Sequence, residues 1–91
     1  MGRIADITVP ARRSGISGAD CGKKIKKEIG EVNFDELVEA FAYAGYPPSD
    51  SIKGIFVALG TATKIKEAVA KYYAEGDTDS AMKAVFPEEL L

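Results

Sequence analysis

A thiol followed by a cluster of ammonium groups is the arrangement in this 91-residue chain that most invites chemistry. Cys21 precedes Lys23, Lys24, Lys26 and Lys27. Cations beside a cysteine near a helix start lower its pKa and raise the share of reactive thiolate. A blander reading is stronger. Cys21, Ile25 and Ile29 recur every four residues and share a helix face, which makes Cys21 a small buried side chain. Ser17 to Lys24 has the outline of a phosphate-cradling loop. Ser17, however, replaces its first glycine and Lys24 its final hydroxyl, and no strand feeds it.

Other catalytic arrangements fail on composition. The chain has no histidine, so Ser-His and Cys-His nucleophile systems and His-metal sites are absent. Asp77-Thr78-Asp79-Ser80 offers too few oxygens, at the wrong spacing, for a calcium loop. The remaining acids sit on helix faces, where carboxylates stay solvated. We therefore expect no enzyme activity, no cofactor and no metal.

The lysines matter as charge. Residues 1–27 hold Arg3, Arg12, Arg13, Lys23, Lys24, Lys26 and Lys27 against Asp6 and Asp20. Residues 28–91 hold five Lys against twelve Asp and Glu, so the formal total of −2 hides a basic front end on an acidic body. Such asymmetry points to a partner. The four lysines fall opposite the Cys21-Ile25-Ile29 stripe and form a ridge suited to an acidic protein or to phosphates.

These groups must be positioned by helices. The first is expected from Gly18 to Ile29, with Ser17 as N-cap and Gly30 as a left-handed stop. Its internal Gly22 lowers helix propensity by about 1 kcal/mol relative to Ala. The second begins at Asn33, which can cap the amide of Glu36 while Glu36 reaches back. It ends at Gly45, where Tyr46 folds onto Phe41 and Pro47-Pro48 bar continuation. Phe34, Leu37, Val38 and Phe41 line its inner face. Asp35, Glu36, Glu39 and Tyr43 line the outer, which makes Tyr43 an interface candidate.

A third helix is expected over Asp50–Leu59, capped by Ser49 and closed at Gly60. Ile52, Ile55, Phe56 and Leu59 give its core stripe. Gly54, Val57 and Ala58 form a small-residue back face open to a close neighbour, including a second copy of the chain. The same stretch, residues 54–60, also reads as a buried strand between glycines. A fourth helix runs from Thr61 or Thr63 to Gly76, burying Ile65, Val69 and Tyr72, with a Glu67–Lys71 pair. Helix three, the Gly60 turn and helix four have helix-turn-helix spacing, but no Arg, Asn or Gln follows to read bases. A short fifth helix covers Asp79–Val85 with Thr78 as N-cap. No internal repeat is evident.

The front end differs. Ile4, Ile7 and Val9 suit a short extended segment ending at Pro10, and residues 11–19 have loop composition. The expectation is all-α: a compact four- or five-helix domain over residues 20–91, with an extended or flexible basic arm over residues 1–19. No apolar run approaches the ~18 residues of a membrane span. A single cysteine and the lack of an apolar leader suggest a cytoplasmic protein in a reducing compartment.

Function is expected to be non-catalytic: an adaptor, inhibitor or assembly component. It would use Arg3, Arg12, Arg13, Lys23, Lys24, Lys26, Lys27 and Tyr43 against an acidic protein surface or a second copy. The alternative is a nucleic-acid binder using the same basic residues. Homo-oligomerisation through Gly54, Val57 and Ala58 is a further expectation.

Overall fold

The computed structural model describes residues 4–60 and 64–86. They form six helices: α1 (Ala5–Arg13), α2 (Gly18–Glu28), α3 (Phe34–Ala44), α4 (Pro48–Leu59), α5 (Ile65–Val69) and α6 (Glu75–Val85). The described residues contain no strand, and the strand alternative for residues 54–60 gives way to the last turns of α4. The fold is compact, with a radius of gyration of 11.8 Å.

Local signals set α2 and α3. Ser17 Oγ accepts from the Asp20 amide at 3.2 Å, and Asn33 Oδ1 accepts from the Glu36 amide at 3.1 Å. Each bond satisfies an amide that the helix itself leaves unpaired. At the far end of α3, Gly45 has φ 89° and the Tyr46 amide donates back to the Phe41 carbonyl. The expected closing contact forms too: the Phe41 and Tyr46 rings lie 5.4 Å apart.

The front end differs from the extended segment expected. Residues 5–13 are helical, and Ile4, Ala5, Thr8 and Ala11 are buried at helical spacing. Thr8 is the reason the pattern misleads. It reads as the polar face of a strand, yet it is fully buried and its hydroxyl donates to the Ala40 carbonyl on α3 at 3.1 Å. A satisfied hydroxyl can occupy a core position. Pro10 lies inside α1 rather than ending it; it is exposed and only three helical residues follow. Arg3 lies outside the described residues.

α4 is the hub. It packs against α2, α3, α5 and α6, and α1 packs against both α2 and α3. Pro48 occupies its first turn and no side chain caps it, so Ser49 is not the N-cap expected. Proline suits that position because the missing N–H would have had no helical partner. At the contact of α4 with α2 the two backbones approach closely. A methyl added to Gly18 would strike the Asp50 carbonyl, one on Gly22 the Gly54 carbonyl, and one on Gly54 the Phe41 ring and the Gly18 carbonyl. Gly22 is therefore a packing residue that outweighs its poor helix propensity. The buried face of α4 includes Gly54 and Ala58, while Phe56 is 37% exposed and meets Phe86 edge-on at 5.0 Å.

The single helix expected over residues 61–76 is broken. α5 stops at Val69, residues 70–73 turn, and α6 begins at Glu75, ahead of the expected start. Tyr73 explains the break. Its hydroxyl donates to the Tyr46 carbonyl at 2.6 Å and lies 2.8 Å from Ser51 Oγ, which draws the chain to the start of α4. Tyr73 is thus the half-buried ring and Tyr72 is 44% exposed, the reverse of the expected stripe. Gly76 lies inside α6, and Thr78 is a buried helix residue whose hydroxyl donates to the Ala74 carbonyl at 3.0 Å rather than a cap. Lys66 pairs with Asp79 at 3.0 Å, joining α5 to α6; the expected Glu67–Lys71 pair does not form. One regularity escaped the sequence reading. Gly15, Gly30, Gly45 and Gly60 all take positive φ, and they recur every 15 residues.

Candidate functional site

The apolar side of α2 fixes where its charge points. Gly18, Cys21, Gly22 and Ile25 are buried against the bundle. Lys23, Lys24, Lys26 and Lys27 are all exposed, as the stripe requires. Lys23 has a loose ion pair with Asp20 at 3.8 Å, with both side chains mostly in water. Such a pair neutralises little and contributes at most about 1 kcal/mol. Among the described residues, Lys24, Lys26 and Lys27 have no carboxylate at ion-pair distance. Cys21 and Ile25 are buried beneath the ridge, and Gly18 and Gly22 bring the α2 backbone close to α4, so the packing fixes which way the lysines face.

The two described arginines differ. Arg13 is exposed at the end of α1. Arg12 is engaged: its Nε donates to the Gly45 carbonyl at 3.3 Å, and its guanidinium lies 5.8 Å from the centre of the Tyr46 ring. Arg12 thus ties α1 to the end of α3, where a cation also meets the negative end of the helix dipole.

Tyr43 is 64% exposed on the outer face of α3, with Asp35, Glu36 and Glu39 also exposed. The small-residue trio separates. Gly54 and Ala58 are buried, and Val57 is half-exposed. The close approach for which Gly54 was read is made by α2 of the same chain.

Cys21 is fully buried beside the Tyr46 hydroxyl. Burial pushes the thiol pKa up, and the nearby Tyr46 hydroxyl and Lys24 offset this only in part. The thiolate is thereby disfavoured, opposite to an activated nucleophile. Tyr46 is buried as well, and its hydroxyl donates to the Ile16 carbonyl at 2.8 Å. Burial raises its pKa, with Cys21 adding to the effect. Together these groups form a polar seam inside the fold.

Among the described residues, no group of three or more His, Cys, Asp or Glu is placed to hold a metal ion. No helix there is long and apolar enough to cross a membrane. Sequence reasoning also missed the surface pairing of exposed Phe56 with half-buried Phe86. Its signal was hidden because Phe56 sits at core spacing from Ile52. Comparison of the chain with protein-family models, with curated proteins and with solved structures finds no match.

Proposed function

We propose that this chain is a non-catalytic protein–protein interaction module, an adaptor, inhibitor or assembly component, that presents α2 to an acidic partner. The observation that carries the reading is uncompensated charge on a fixed helix face. Lys24, Lys26 and Lys27 are exposed without a carboxylate partner among the described residues, and Arg13 is exposed at the end of α1. A charged face held in place steers an oppositely charged partner and sets its orientation. Burial of the single thiol supports a role without covalent chemistry.

Positive charge confined to one end of an acidic chain, with five Lys against twelve Asp and Glu beyond residue 27, favours a protein partner over a nucleic acid, whose phosphates ask for a wider basic surface. The test replaces Lys23, Lys24, Lys26 and Lys27 together with Gln and uses polyglutamate and a short DNA duplex as probes. Wild type should bind polyglutamate in a salt-dependent way. The variant should lose roughly tenfold or more in affinity at low salt while keeping its denaturation midpoint. Equal affinity in both proteins overturns the proposal. Tighter binding to the duplex than to polyglutamate, lost in the variant, replaces it with the nucleic-acid reading.

A further inference from the structure

The basic and acidic faces of this molecule lie on opposite sides of it. α1 and α4 each pack on both α2 and α3, while α2 and α3 share no extended contact among the described residues. The Gly18 carbonyl of α2 and the Phe41 ring of α3 both reach the place on α4 where a side chain of Gly54 would lie, so the inner sides of α2 and α3 converge there. The outer faces of α2 and α3 therefore point away from each other, one lysine-rich and one rich in carboxylates.

The two faces also match in spacing. Ala19, Lys23 and Lys27 follow one another at four-residue steps along α2, and Asp35, Glu39 and Tyr43 do the same along α3. Four residues span about 6 Å of helix. Laid antiparallel, the ridges bring Asp35 to Lys27, Glu39 to Lys23, and the Tyr43 ring over the small side chain of Ala19. The parallel alignment that makes both charge pairs leaves Tyr43 beyond the end of α2.

We propose that the acidic partner of α2 is α3 of a second copy, so that the chain associates head to tail through two different faces. This rests on the reading of α2 as the interaction surface. A contact between unlike patches on opposite sides leaves both outer faces of a dimer free, so growth continues into rings or filaments. One helix ridge against another is a small contact, below the roughly 1,200 Å² of stable complexes. The association is accordingly weak and strongly dependent on salt and concentration.

Sedimentation of wild type is compared with Lys23→Glu/Lys27→Glu and with Asp35→Lys/Glu39→Lys. Glu39→Lys alone serves if the change at the start of α3 unfolds the protein. Wild type should form a concentration-dependent series at about 20 mM salt that dissolves at about 500 mM. Each charge-reversed variant alone should be monomeric, since the side chains that would meet across the contact then carry like charges. Mixed one to one, the two variants should assemble again. A monomeric wild type at low salt, variants that associate as wild type does, or a mixture that stays monomeric each overturns the proposal. Polyglutamate binding separates the two readings: wild type that binds polyglutamate through its lysines but stays monomeric keeps the interaction surface and removes the second copy as its partner.

Discussion

The Tyr73 hydroxyl donates to the Tyr46 carbonyl at 2.6 Å, and this bond ties the turn after α5 to the connection between α3 and α4. Ser51, buried at the start of α4, completes the junction 2.8 Å from the same oxygen. The α3–α4 connection, the start of α4 and the turn after α5 thus meet at one phenol. Tyr73→Phe keeps the ring but strands the Ser51 hydroxyl and the Tyr46 carbonyl. We expect a loss of about 1–3 kcal/mol, read as a lower urea midpoint at unchanged slope. An unchanged midpoint would mean that the turn is held by packing alone.

Alkaline pH should destabilise the fold. Cys21, Tyr46 and Tyr73 all have pKa values raised by burial, from ordinary values of 9.0 for the thiol and 10.0 for the phenols. Above those ordinary values the unfolded chain has released protons that the folded chain still holds. Stability is therefore full below about pH 9 and falls as pH rises through the elevated folded values. In a Tyr43→Phe/Tyr72→Phe background, tyrosinate absorbance then reports Tyr46 and Tyr73 and should rise together with loss of helical ellipticity. Absorbance that rises well before the ellipticity falls would refute the coupling.

Two glycine-to-alanine changes should act in opposite directions. Gly54→Ala drives a methyl into the Phe41 ring and the Gly18 carbonyl. Overpacking against backbone costs about 3 kcal/mol, more than the helix propensity gained. Gly76 lies in the first turn of α6 with nothing within 4 Å of an added methyl. Gly76→Ala should stabilise by about 0.5 kcal/mol. Thermal melts of the two variants check both signs; a neutral Gly54→Ala would deny the close crossing of α2 and α4.

Thr8→Val tests the docking of α1. The change preserves shape and removes the bond to the Ala40 carbonyl. A cost of about 1 kcal/mol is expected, which lowers the melting temperature of a domain this size by roughly 4–8 °C. No shift at all would place α1 outside the cooperative unit.

What the sequence made legible was local. Ser17 and Asn33 announce helix starts through their own side chains, and Gly30, Gly45 and Gly60 announce stops through a conformation that other residues resist. The exposure of the lysine ridge and the burial of Cys21 follow from periodicity within one helix. What stayed hidden depends on distant partners. Thr8 becomes a core residue only because a carbonyl lies 32 positions away. The break after α5 depends on a tyrosine reaching Tyr46 and Ser51, which no window around Tyr73 reveals. Gly54 was correctly read as a place of close approach, but the identity of the neighbour is a tertiary fact, and it is the chain's own α2.

The crossing of α2 over α4 also bears on descent. A core leucine can drift to isoleucine or methionine while its neighbours adjust in volume. A carbonyl oxygen lying where a methyl would go has no such latitude, because the main chain is the same in every sequence. Gly18, Gly22 and Gly54 should therefore outlast the lysines, the caps and most of the apolar core as lineages diverge. Kinship too remote for overall similarity would survive as three absences: two missing side chains one turn apart in one helix, and a third in the middle of the helix after next.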